Sequence, residues 1–101
     1  MPKMTITVPH QLGEQEALNR IQGMLNDMKQ QHGNQIQDLQ EQWNGNKGTF
    51  SFKAQGFKLA GTLDVEPSQI IMSGDLPWAA TPFQGTIEAT IRERAERVLA
   101  P

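Results

Sequence analysis

WNGNKGTFSFKA, residues 43–54, carries the reading on which the fold depends. Asn-Gly is a preferred pair for a two-residue hairpin loop, because both central residues of that loop take positive φ. Placing the turn at Asn44-Gly45 makes Lys47 to Ala54 a returning strand. Phe50 and Phe52 then face inward, and Thr49, Ser51 and Lys53 outward. The turn also decides the segment before it. Ile36, Leu39 and Trp43 suit a helical face, whereas Leu39, Glu41 and Trp43 suit a strand face. A hairpin turn directly after Trp43 selects the strand.

Working outward, Gln55-Gly56 turns the chain again, and Phe57, Leu59, Leu63 and Val65 alternate with Lys58, Thr62 and Asp64. Gly61 falls on the apolar side, which implies close packing or a bulge. Pro67-Ser68 makes the third turn, and Gln69 to Leu76 the last strand, with Ile70, Met72 and Leu76 on one side. Four successive strands with tight turns form an antiparallel meander. A fifth strand opens the chain, where Met4, Ile6 and Val8 alternate with Lys3, Thr5 and Thr7 before Pro9 removes a donor.

Two helices complete the pattern. The first runs from Gly13 to Gln31, with Ala17, Leu18, Ile21, Met24, Leu25 and Met28 in one apolar stripe. Glu14 and Glu16 suit the positive end of its dipole, Lys29 and His32 the negative end, and Gly33-Asn34 supplies the stop. The second helix carries Phe83, Ile87, Ile91, Ala95 and Val98 in a stripe. Thr81 as N-cap, Pro82 at N1 and Gln84 at N3 would complete a capping box. Glu88–Arg92 and Glu93–Arg97 have the spacing of i,i+4 pairs. Gly85 implies either a close helix–sheet approach or a later start. The order β-α-β-β-β-β-α predicts an α+β two-layer sandwich, an antiparallel β-meander sheet with two helices packed on one face. Residues 1–101 read as a single domain.

Composition narrows the function classes. Nine Lys+Arg against 11 Asp+Glu leave a net charge of −2 and no basic stripe, which argues against nucleic acid as a partner. The absence of Cys excludes disulfides, thiol catalysis and Cys-ligated zinc, and fits a reducing cytoplasm. The longest aliphatic run, Ile70-Ile71-Met72, is far short of a transmembrane segment, and the start lacks the continuous apolar stretch of a leader.

Candidate chemistry is sparse. His10 and His32 lack metal-ligand spacing and read as capping or surface residues. Asp38, Glu41, Asp64 and Glu66 read as solvated carboxylates. No Gly-x-Ser-x-Gly elbow is present, and there is no Tyr to act as a phenolic acid. The glycines punctuate hairpins and do not precede a helix, so they form no phosphate cradle. The reading is therefore non-enzymatic, with no catalytic residue, no metal and no cofactor. The apolar residues say more. Leu76-Pro77-Trp78-Ala79-Ala80 is an unusually apolar connector, because loops normally run over the surface. Trp78 either folds back as a lid over the sheet, the ordinary expectation for a large apolar ring, or forms an exposed patch that touches polymer or a partner. Trp78, Leu76, Phe83 and Trp43 are the candidate binding residues of an apolar patch or pocket.

Three strings together resemble the polyhydroxyalkanoic acid system family: MPKMTITVPHQLG at the start, WNGNKGTFSFKAQGFKLAGTL in the middle, and GDLPWAATPFQGTIEATIRER near the end. They cover nearly the whole chain in the same order. The resemblance implies a small protein encoded with genes of polyester synthesis and utilisation. It implies a place in the bacterial cytoplasm, at or near polyhydroxyalkanoate storage granules, with the granule surface or granule proteins as partners. It brings no catalytic residue and no cofactor. The hairpin meander closed by a long helix is also similar to a reduced helix-grip fold of the START type. That second likeness implies an alternative, a domain holding an acyl chain between the sheet and the last helix. A chamber of several hundred Å³ would mark the carrier, and a filled core with an apolar exterior patch the surface binder.

Overall fold

Alternating apolar and polar residues set the faces of the sheet, and the register shows how they meet. A computed structural model describes residues 3–31, 36–54 and 57–101, without the side chains at 28, 29, 31, 36, 37, 54 and 57. The elements are β1 (Lys3–Pro9), α1 (Glu14–Gln31), β2 (Ile36–Asn44), β3 (Lys47–Ala54), β4 (Phe57–Val65), β5 (Gln69–Asp75), a 3-10 helix (Trp78–Phe83) and α2 (Gln84–Val98). The strands form one antiparallel sheet in the order β1-β5-β4-β3-β2. The first strand thus returns beside the last strand of the meander. The expected α+β architecture is the observed one. The stop at Gly33-Asn34, His32 beside it and the turn at Gln55-Gly56 lie outside the described residues, as do the side chains of Met28 and Lys29.

The core gathers at one end of the sheet. Ile6 and Val8 of β1, Leu63 and Val65 of β4 and Ile70 of β5 meet Ala17 and Ile21 of α1, Ala95 of α2 and Leu99 just beyond its end. From there each helical stripe becomes less buried. Along α1, Met24 and Leu25 are half-buried, and along α2, Ile91 and Ile87 are half-buried. Three side chains, Arg20, Arg92 and His10, tie the closed end. Arg20 donates to the carbonyls of Val98 (3.1 Å) and Ala100 (2.7 Å), answering the orphan acceptors that end α2. Arg92 donates to the Thr7 carbonyl at 3.0 Å and joins α2 to β1. His10 is 7 % exposed: its Nδ1 accepts from the Leu12 N–H (3.2 Å), so Nε2 donates to the Glu66 carbonyl (2.9 Å).

Three local expectations are corrected. The hairpin loop is Gly45-Asn46, not Asn44-Gly45, since Asn44 pairs with Lys47. Gly45 has φ of +65°, and Asn46 stays out of the positive region, the pattern of a II′ turn. Asn46 is held in the loop by Val65, whose carbonyl takes the Asn46 Nδ2 (2.6 Å) and whose N–H donates to the Asn46 carbonyl (2.9 Å). Partners shift by two residues in all, so the faces are unchanged. The capping box does not form either. Residues 78–83 wind as a 3-10 helix, α2 begins at Gln84 without a side-chain cap, and the Thr81 hydroxyl donates back to the Pro77 carbonyl (3.5 Å). Of the two ion pairs, Glu93–Arg97 is made at 2.6 Å, while Arg92 turns to Thr7 instead of Glu88.

Gly61 marks close packing and not a bulge, as β4 pairs without a register break on both sides. A Cβ there would lie 2.4 Å from the Ser73 carbonyl oxygen and 3.0 Å from the Phe50 ring. The one bulge in the described ladders falls on β2 between Gln37 and Gln40, where Asp38 takes a φ of 56°.

Candidate functional site

Two buried residues shape the connector after β5. Leu76 is 2 % exposed, and Ala80 is also buried. The Pro77 carbonyl accepts the Ala80 N–H at 2.9 Å, which winds the chain tightly between these two anchors. With residues 76 and 80 turned into the protein, Trp78 between them is turned out. It is 70 % exposed, and Phe83 at the end of the same short helix is 63 % exposed. The expected lid is therefore not formed: the anchors that bury the connector are its small and aliphatic members, and its largest ring faces solvent. These two are the exposed large hydrophobic residues among the described ones. Both lie toward the loosely packed end of α2, opposite the Ala95 and Leu99 end.

The four candidate residues do not form one site. Leu76 is an anchor of the patch and not part of its surface. Trp43 stands on β2, separated from β5 by β3 and β4. Its ring lies over Gly48 of the paired strand, where a Cβ would come within 2.9 Å of it, and its Nε1 donates to Glu41 Oε2 at 3.1 Å. Trp43 is half-buried against the core and fills space left by a glycine, a structural role.

Two shallow depressions lie along the β2–β3 side. The larger, about 690 Å³, is lined by Gln42, Asn44, Lys47, Thr49, Thr62 and Asp64 with Trp43. The smaller, about 440 Å³, runs along Gln40–Gln42 and Thr49–Ser51. Neither is lined by α2, so neither is the chamber between sheet and last helix that an acyl carrier would need.

The titratable groups are dispersed. Among the described residues no three His, Asp or Glu side chains gather as metal ligands. His10 is engaged on both ring nitrogens by main chain. Glu66 accepts from Gln69 Nε2 (2.7 Å), and Asp38 stands 3.8 Å from Lys53 at the surface. No described helix is long and apolar enough to cross a membrane.

Sequence reasoning found Trp78 and Phe83 but not their exposure, which depends on which connector residues are anchored. It placed Thr5, Thr49 and Thr62 on the outward face of the sheet but gave that face no role. The signal was present there, in the threonines and serines that alternate with the core positions.

No curated protein and no solved structure matches this chain significantly. The family described as "Putative polyhydroxyalkanoic acid system protein" matches residues 4–99, nearly the full length, and the chain belongs to that family.

Proposed function

We propose that this protein is a non-enzymatic accessory of polyhydroxyalkanoate storage in the bacterial cytoplasm. It attaches reversibly to the granule surface, or to proteins on it, through Trp78 and Phe83. The observation that carries the reading is the solvent-facing aromatic pair, held on a short helix by buried Leu76 and Ala80, in a member of a polyester-system family. Trp suits such a contact, because its ring is apolar while its N–H tolerates water. Burying roughly 250 Å² of the two rings would contribute about 6 kcal/mol before association costs, which supports reversible attachment.

Granules incubated with the protein and sedimented at rising salt test this. An apolar contact persists as salt rises, whereas a contact between exposed charges is screened. Wild-type protein is expected to stay bound. Trp78→Ala is expected to lose binding several-fold with its melting temperature unchanged. A Trp78→Ala protein that is both fully stable and fully granule-bound refutes the assignment. Purified protein is expected neither to hydrolyse nor to polymerise hydroxyacyl substrates, and turnover abolished by changing His10 would overturn the non-enzymatic reading.

A further inference from the structure

The face of the sheet turned away from the helices carries a row that crosses every strand. Register places Thr5 opposite Ser73, Ser73 opposite Thr62, Thr62 opposite Thr49, and Thr49 opposite Gln42. The adjacent row on the other face, Ile6, Met72, Leu63, Gly48 and Trp43, is the one turned to the core. Thr5, Thr62, Thr49 and Gln42 are exposed and Ser73 is half-buried. No hydrogen bond within the described residues engages these four hydroxyls or the Gln42 amide. The row has no charge. In the next row, Lys47 stands opposite Asp64, so the charges beside it are of opposite sign. The larger depression is lined by Gln42, Thr49 and Thr62 of the row, by Asn44, Lys47 and Asp64 of the next row, and by Trp43 and Gly48.

We infer that this face seats the polyester chain itself, laid across the strands, with one ester unit to each strand. The inference rests on the polyester reading above and adds a second surface to it. Spacing is the first argument. Neighbouring strands stand roughly 4.7–4.9 Å apart. An extended peptide advances about 3.3–3.6 Å over three backbone bonds, so the four bonds of a β-hydroxyacyl unit span about 4.4–4.8 Å. The repeat of the ligand and the repeat of the sheet therefore agree. Chemistry is the second argument. Each ester unit offers a carbonyl acceptor and an alkyl branch, and each threonine offers a hydroxyl donor and a methyl. The ligand is uncharged, as the row is. The sheet's twist rotates the row by roughly 20° per strand, which a flexible aliphatic chain can follow.

Binding to protein-free poly(hydroxybutyrate) particles tests the inference, with wild type, Thr49→Val/Thr62→Val and Trp78→Ala compared. Valine keeps the β-branched shape that suits a strand and removes only the donors. The double variant is expected to bind about tenfold more weakly, the loss of two net hydrogen bonds. Ser73→Ala, at a separate point of the row, is expected to bind about threefold more weakly and guards against misfolding of the double variant. A soluble hydroxybutyrate oligomer is expected to displace the wild type. Unchanged or tighter binding by Thr49→Val/Thr62→Val and Ser73→Ala overturns the inference, because adsorption would then be apolar. Equal binding of the wild type to cellulose particles also overturns it, since the face would then be a general hydroxyl surface. If the row variants bind granules and particles normally while Trp78→Ala does not, this inference fails and the granule reading stands. If wild-type protein ignores granules altogether, both fail.

Discussion

Gly61→Ala is the sharpest test of the sheet that positions both surfaces. Gly61 pairs with Phe50 on one side and Gly74 on the other. An added Cβ would meet the Ser73 carbonyl oxygen at 2.4 Å, the Phe50 Cζ at 3.0 Å and the Gly74 Cα at 3.2 Å. Phe50 can rotate away, but the other two contacts are main chain, so β4 and β5 must part by about 1 Å to reach ordinary contact. Parting them weakens ladder hydrogen bonds and leaves polar groups poorly matched, at about 1–3 kcal/mol per group. The loss of glycine's freedom in the unfolded chain returns about 0.4–1 kcal/mol. The net expectation is a destabilisation of about 2 kcal/mol, or a fall in melting temperature of about 8–16 °C for a chain of this size. Thermal unfolding followed by circular dichroism reads it. Gly85→Ala is the internal control: nothing lies within 4 Å of a Cβ there, and the site is helical. It is expected to stabilise by about 0.5–1 kcal/mol. If the two substitutions move the melting temperature in the same direction, the close approach at Gly61 is refuted.

Three further substitutions separate roles within the fold. Gly45→Val places a β-branched residue at φ +65° and is expected to destabilise by more than about 1 kcal/mol in denaturant unfolding; no change would mean the loop lies elsewhere. His10→Ala leaves the Leu12 N–H and Glu66 carbonyl without their partner and is expected to cost about 2 kcal/mol with granule binding intact; lost binding would give His10 a functional role. Trp43→Ala uncovers Gly48 and is expected to cost about 2 kcal/mol, whereas Trp78→Ala costs under about 0.5 kcal/mol, and equal costs would contradict the assigned burial of the two rings.

The elements were legible because their patterns are local. Phe50 and Phe52 against Thr49 and Ser51 need only the pleat to be read, and Asn44-Gly45 chose a strand for the ambiguous segment correctly. The loop itself moved by one residue because Asn46 bonds to Val65, a residue distant in sequence. Thr81, Pro82 and Gln84 have the composition of a capping box. The winding that displaced it begins earlier, at buried Leu76 and Ala80. Trp78 offers the larger apolar area and so the larger gain on burial, yet the structure buries Ala80 and leaves Trp78 70 % exposed. The main-chain bonds of Arg20 and Arg92 could not be read from the sequence, because a carbonyl acceptor belongs to no residue type; Arg92 read instead as the i,i+4 partner of Glu88.

The two proposed surfaces occupy what the fold leaves open. One face of the sheet is taken by the helices. The edge strand β1 ends in Pro9 and has its Thr7 carbonyl occupied by Arg92. The opposite edge, β2, is interrupted by the bulge at Asp38. Bulges, prolines and occupied acceptors discourage the addition of a further strand at an edge. Recognition by strand pairing is thereby disfavoured, and contact through a broad face or a protruding ring is favoured. Those two modes suit different parts of one target. Trp78 and Phe83 can enter an irregular apolar surface without any register, whereas the Thr5–Gln42 row discriminates by repeat distance and by acceptor placement. The aromatic end would therefore govern how tightly the protein is held, and the hydroxyl row which polymer it prefers. The division has a consequence for the variants: Trp78→Ala should weaken attachment to every apolar surface alike, while Thr49→Val/Thr62→Val should narrow the difference between polyester and a plain hydrocarbon surface.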